Sequence, residues 1–355
     1  MSASLCPPRS SCAVASFVGE GPAYCCPRGC DDPAVSERSR RCEEGENYLH
    51  ECTEESPCFQ AHQARLAGTV YVPWRAESSG TAAALFAVWG GEKSDLSGAW
   101  DVWAVGSGGR VLRREDGLWR AETTPTNENI MGLWGSDKGV LWAVGGHGTI
   151  LRRDPAGWVR VASPSSAHLY AIWGRASDAL WTVGAKGTIL RFDGQGWARE
   201  VSSTQVDLSA LHGAGDHIWA AGPSGVVLEQ TPGGWRHVAV EPKAAWLGVY
   251  VEASGEVWLA GDGGTIVSGV EGVWRRQEIP VTGVLSGLWR HADTLWVVGQ
   301  RGLVLKKTDG HAWGVVSYFH KGSPVDLFGL WGGGGSLFAV GGEGSVLVTR
   351  VGGTP

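Results

Sequence analysis

After Cys58 the chain has no further cysteine, although it runs on to residue 355. It has no excess of basic charge either: Lys+Arg is 30 against Asp+Glu of 36, a net charge of −6. A nucleic-acid or anionic-lipid partner held by a basic field is therefore excluded. No stretch approaches 18 consecutive apolar residues, so no membrane-spanning helix is expected. The first 20 residues hold Pro7, Pro8, Arg9 and two cysteines where a signal peptide would carry a continuous apolar run. HExxH, GxSxG and P-loop motifs are all missing, and no cofactor or resident metal is expected.

What the chain has in quantity is glycine, 55 residues, and tryptophan, 20 residues. So much glycine without a Gly-X-Y period implies many tight turns, and the tryptophans imply one turn-rich unit repeated. The eight cysteines (Cys6, Cys12, Cys25, Cys26, Cys30, Cys42, Cys52 and Cys58) are confined to the front. That contrast divides the chain into a cysteine-rich segment, 1–66, and a second domain, 67–355. Eight is an even number, and small exported segments need staples, so the cysteines read as disulfides with on the order of a hundred formal pairings. A zinc site is the alternative, since His50 and His62 lie near Cys52 and Cys58, but no CxxC pair exists. Cysteine usage implies an extracytoplasmic protein, periplasmic, cell-surface or secreted, and the expectation is that its true start lies upstream.

The repeat is plainest over residues 169–197: LYAIWG, ALWTVG, KGTILRFDG, then GW. Its first element recurs from Leu85, Ile130, Leu169, Leu208, Trp246, Leu285 and Leu327. The second carries Trp103, Trp142, Trp181, Trp219, Trp258, Trp296 and Phe338. The third is an apolar, mostly β-branched run such as Ile150-Leu151 or Val304-Leu305. The fourth opens with Trp119, Trp158, Trp197, Trp235, Trp274 and Trp313, spaced by 39, 39, 38, 39 and 39 residues. Short β-branched and aromatic elements bounded by glycines are strands joined by tight turns. The VGxxG glycines read as the φ > 0 positions of two-residue hairpin loops. Four antiparallel strands per unit of about 40 residues is a propeller blade.

The first element occurs seven times but the fourth only six times within the array. The missing copy lies at the front, where Trp74-Arg75-Ala76-Glu77 matches Trp119-Arg120-Ala121-Glu122. The chain is therefore expected to be an all-β, seven-bladed propeller whose strand 69–77 completes the last blade and removes a sheet edge. Eighteen of the 20 tryptophans fall in three strand columns. Each buries about 200 Å², worth roughly 5 kcal/mol gross, so packing between blades is their expected role, with sugar or base stacking as the alternative. The small column Ala87, Gly132, Ala171, Ala210, Gly248, Gly287 and Gly329 fits crowding near the axis.

The stretch GTILRFDGQGW resembles the turn of BNR/Asp-box propeller repeats, and VGxxGTIL followed by DG…W resembles the photosystem II stability/assembly factor family. The resemblance spans all seven units and is carried by Asp116, Asp154, Asp193 and Asp309; the units at Thr231 and Val270 lack the aspartate. The order of strands is also similar to tectonin-type lectins. The resemblance implies a blade and a structural role for the aspartate, and carries no ligand site with it.

Chemistry is sparse. Asp-box glycosidases need paired carboxylates and an arginine cluster, whereas the innermost strands here offer Tyr170 and Tyr250, which read as core. His212 stands in a column of tryptophans and reads as a packed variant. Deviations from the repeat are more telling. The last link, from Trp313 to Leu327, is 14 residues where the others are 11, and brings in Tyr318, Phe319, His320 and Lys321. The hairpin tips on that face vary: His147, Lys186, Asp262, Arg301 and Glu343. These residues form the expected binding rim. Blade one is longer by six residues on the opposite face, between Glu92 and Asp101. The expectation is a monomeric, non-enzymatic binding propeller engaging a protein or a cell-surface glycan. A hydrolase or lyase with a channel site, and a display module for the cysteine-rich segment, are the alternatives.

Overall fold

The computed structural model describes residues 74–92, 100–136, 139–316 and 325–351. All of the cysteines, His50, His62, residues 69–73 of the closing strand and the rim residues Tyr318, Phe319, His320 and Lys321 lie outside the described residues.

Seven four-stranded antiparallel sheets are arranged as blades. In blade three the strands are Leu169–Ala176, Ala179–Gly184, Ile189–Phe192 and Trp197–Glu200, from innermost to outermost. The second strands, such as Leu141–Gly145 and Val257–Gly261, are buried along their whole length. Neighbouring blades cover both of their faces, which is why they read as unbroken apolar runs. Outer strands such as Leu118–Glu122 are mostly exposed apart from their tryptophan, which is 8% exposed. Six sheets use consecutive strands. In the seventh, Arg75–Glu77 lies outside Val346–Arg350, with Arg75 opposite Val348 and Glu77 opposite Val346.

The core lies between blades. One cluster joins Trp103, Val105 and Val111 of blade one to Ile130, Leu141 and Trp158 of blade two. Another joins Leu85, Val102 and Trp119 of blade one to Phe338, Val340 and Val348 of blade seven. The second-strand aromatic of one blade meets the outer tryptophan of the next edge-on. Trp103–Trp158 is at 6.1 Å, Trp258–Trp313 at 6.2 Å and Trp296–Trp74 at 6.2 Å. Trp74 thus occupies in blade seven the place its sister residues hold elsewhere, and these rings are packing elements, not open platforms.

Acidic residues tie the outer strands together. Trp119 Nε1 donates to Glu77 at 2.9 Å, Trp158 Nε1 to Glu122 at 2.9 Å and Trp235 Nε1 to Glu200 at 2.8 Å. Arg114 adds a bidentate pair to Glu77 and Arg153 one to Glu122. Glu77 therefore links blade seven to blade one as Glu122 links blade one to blade two.

The VGxxG tips differ from a two-residue hairpin. Each is a three-residue 3₁₀ turn, such as Gly146–Gly148, whose middle residue is left-handed even when it is His147 (φ 49), Lys186 (φ 54), Arg301 (φ 56) or Glu343 (φ 53). The second glycine of VGxxG has the expected positive φ, as at Gly148 (φ 68), whereas the first is extended. It is glycine because a Cβ on Gly145 would sit 2.0 Å from the Asn129 carbonyl oxygen, to which the turn is hydrogen-bonded.

The Asp-turns behave as local clips: Asp154 Oδ1 accepts from the backbone N–H of Ala156 and Gly157, and Asp193 Oδ1 from that of Gln195 and Gly196. Blade one's longer turn begins as extra strand pairing, Gly91 with Asp101 and Glu92 with Trp100.

Candidate functional site: the loop-face mouth of the channel

The innermost strands start at the face that carries the 3₁₀ tips. Their first residues (Leu85, Ile130, Leu169, Trp246, Leu285 and Leu327), and Leu208 just ahead of the strand Ala210–Ala214, are each 0% exposed. The next residue is handled differently. In blade one the register jumps from Leu85–Gly106 to Ala87–Val105, leaving Phe86 in a β-bulge. The same jump sets apart Met131, Tyr170, Leu247, Ser286 and Phe328. Ser209 holds the equivalent place in blade four. A bulge re-aims a side chain and interrupts pairing. Repeated in six blades, with Ser209 in the seventh place, it leaves seven half-buried side chains around the axis at the mouth of the channel.

The ring is mixed in chemistry, with Leu247 standing between Ser209 and Ser286. Phe328, Phe86 and Met131 come from consecutive blades, with the two phenyl rings 5.8 Å apart. Tyr170, Ser209 and Ser286 supply hydroxyls. Tyr170 donates to Asp207 Oδ2 at 3.3 Å, and burial, with the Asp207 charge, pushes its phenol pKa up, so it stays a donor. Sequence reasoning missed this ring because a bulge leaves no local signature. The available signal was a strand column whose residue type changes from blade to blade between two columns that hardly vary.

Outside the ring stand the tips. His147, Lys186, Arg301 and Glu343 are exposed, and the structure brings them to this face together with Asp262. Their backbones are held by the next blade: the N–H of Lys186 donates to Asp207 Oδ1 at 2.9 Å, that of Arg301 to Asp326 Oδ1 at 2.9 Å and that of His147 to His168 Nδ1 at 3.2 Å. Asp207 thus serves both tip and ring. Asp262 plays another part, because it is the first residue of its tip and accepts from Ala245 N–H at 2.8 Å. His147 Nδ1 lies 2.9 Å from Glu128 Oε2. The links between blades are braced by hydroxyls: Ser163 donates to the Ser165 carbonyl while Ser165 Oγ accepts from Ala167 N–H, and Ser202 and Thr204 repeat the pattern. Such a face is organised before any ligand arrives.

The opposite end of the innermost strands carries the second tyrosine and the histidine. His212 Nδ1 accepts from Val251 N–H at 2.9 Å and its ring stacks on Tyr250 at 4.6 Å. The residue is half-buried, and the protein surrounds its imidazole closely enough that desolvation lowers its pKa to about 4. Beside it, Glu252 accepts from Trp258 Nε1 and from Arg290, which also pairs with Asp309. Burial raises the Glu252 pKa. No group of three or more metal-ligating side chains occurs among the described residues.

No protein-family model and no curated protein sequence matches the chain. Its fold is similar to that of solved propellers. YCF48 bound to D1 peptide superposes with a TM-score of 0.64 at 17% identity, over 80% of this chain and 96% of that one. Virginiamycin B lyase from Staphylococcus aureus gives 0.67 at 15% identity, over 79% and 100%. The WD40 propeller domain of Doa1 gives 0.65 at 9% identity, over 79% and 97%.

Proposed function

We propose that this chain is a non-enzymatic binding propeller that holds an extended protein segment across its loop face, with an apolar side chain seated in the channel mouth. The observation that carries this reading is the ring of bulge residues, in which Phe86, Phe328 and Met131 form an apolar seat beside Tyr170 and two serines. A propeller of similar fold, YCF48, has been solved with a peptide bound. The likeness to BNR repeats and to tectonin-type lectins keeps a glycan in view as the other ligand class. Replacing Phe86 and Phe328 with Ser should weaken capture of the partner about 30-fold or more, the usual loss for a central anchor. Capture that is unchanged in the folded variant, or a glycan array bound while peptides are not, would sink the proposal.

An enzymatic reading has one observation in its favour, the cluster of His212, Tyr250, Glu252 and Arg290 at the other end of the strands. Its charges are taken up by partners: Glu252 by Trp258 and Arg290, Arg290 by Glu252 and Asp309. Export, with the eight cysteines of residues 1–66 as disulfides, belongs to the same proposal. Mass spectrometry after alkylation without reductant should find no free thiol, and several alkylated cysteines or bound zinc would remove it.

A further inference from the structure

A cleft of ≈ 620 Å³ opens on the loop face at the outer edge of blades two and three. It is lined by Arg160, Arg199, His147 and the serines of the link that follows Arg160, and no carboxylate lines it. Arg199 is anchored, donating to the Pro164 carbonyl at 3.0 Å and to Ser165 Oγ at 2.9 Å, so its charge is fixed at the wall. Arg160 is exposed and has no ion pair among the described residues. His147 already faces Glu128, so the two arginines set the sign of the cleft.

The column behind this arrangement is the second residue after each outer tryptophan. It reads Arg160, Arg199, His237 and Arg276 in blades two to five, but Ala76, Ala121 and Val315 in blades seven, one and six. Arg160, Arg199 and Arg276, with His237 among them, therefore form an arc on one side of the ring. Arg199 also lines a second cleft of ≈ 350 Å³ with Lys186.

We propose that the larger cleft is an anion subsite that takes an acidic side chain of the same protein segment whose apolar residue occupies the mouth. This rests on the function proposed above. Arginine pairs with carboxylate oxygens through two parallel N–H donors, and the clustered hydroxyls around it complete such a site. The fold sets the spacing. Mouth and cleft lie at the innermost and outermost strands of a four-stranded blade, three strand separations of roughly 4.8 Å, or about 14 Å. An extended chain advances about 3.3 Å per residue, so anchor and acid stand about four residues apart.

The test pans a random dodecapeptide library over the full-length protein at low salt. Enriched peptides should combine a large apolar residue with Asp or Glu about four positions away. With Arg160→Glu the acidic preference should vanish while the apolar preference persists. Arg350→Glu, a charge reversal on an exposed residue away from this link, should change neither. The melting temperature of Arg160→Glu should match the parent. Absence of acidic enrichment, acidic enrichment that survives Arg160→Glu, or a random spacing would each overturn the proposal. Acidic enrichment that depends on Arg160 but lacks any apolar residue would remove the mouth reading and the register with it, and leave the cleft's anion preference upheld. Saturable binding of inorganic phosphate by calorimetry, without preference for acidic peptides, would instead make the cleft a small-anion site and overturn its assignment to a peptide.

Discussion

At the residue scale, adjacent blades interlock through one pair of positions. A tryptophan of one innermost strand lies where the Cβ of a glycine in the next would be. An ideal Cβ on Gly135 meets Trp89 at 2.5 Å, one on Gly90 meets Trp331 at 2.5 Å, one on Gly174 meets Trp134 at 2.9 Å and one on Gly213 meets Trp173 at 2.8 Å. Where the receiving residue is not glycine, the incoming ring is smaller: His212 faces Val251, and Tyr250 lies close enough to feel the charge of Arg290, which holds the receiving place in the next blade. His212 is thus a size partner to Val251. Changing His212 to Trp alone should cost about 1–3 kcal/mol by overpacking. Adding Val251→Gly should recover part of it, with a coupling of roughly 0.5–3 kcal/mol in a double-mutant cycle by chemical denaturation. Strict additivity would refute the pairing. His212 also titrates to effect. Its pKa falls from 6.5 to about 4 on folding, so the folded state disfavours its protonation. Stability is full above about pH 6.5 and declines as pH falls toward 4, with the imidazole facing Tyr250 and Val251. His212→Gln should flatten that limb of the curve.

At the scale of elements, the strand Arg75–Glu77 carries more weight than its length implies. It covers the edge of Val346–Arg350, and Glu77 reaches across to Arg114 and Trp119 of blade one. Removing residues 1–66 should leave a cooperatively melting propeller, whereas removing 1–77 should abolish the transition or lower it by many degrees. Equal melting temperatures would refute the role of this strand. Burial alone would raise the Glu77 pKa, but the Arg114 and Trp119 hydrogen bonds outweigh it and hold the carboxyl below its ordinary 4.5. Its contribution is therefore full above about pH 4.5 and is lost as pH falls through the depressed value, a window below that of His212. Glu77→Ala should cost about 1–3 kcal/mol at neutral pH, less in acid. The blade count, the strand order and the place of Arg75–Glu77 were legible from the tryptophan spacing, since each column is a packing position that recurs with the blade. The bulges were not, because a register slip is set by the neighbouring strand. Nor were the left-handed tips, of which His147, Lys186 and Arg301 have their backbone N–H capped by His168, Asp207 and Asp326 of the following link.

At the scale of the whole molecule, blade seven is a blade whose last turn has been cut. In blade one the third and outer strands are joined by the short turn Asp116-Gly117, between Glu115 and Leu118. The corresponding strands in blade seven, Val346–Arg350 and Arg75–Glu77, lie side by side with Arg75 opposite Val348, but are separated by nearly the whole chain. If each blade is equivalent, the cut can be moved. A circular permutant would run from Leu118 to Val351, continue through an Asp-Gly turn to Trp74, and end at Glu115. It closes blade seven covalently and leaves blade one held by strand pairing, with the Arg114–Glu77–Trp119 tie intact. Closing so short a loop and opening another of similar length exchanges nearly equal entropies, so the change in stability should be within about 1–2 kcal/mol. The permutant should therefore melt in one cooperative transition within a few degrees of a chain trimmed to residues 67–355. A permutant that fails to fold, or melts in two steps, would mean that the blades are not equivalent and that the ring depends on where its chain begins.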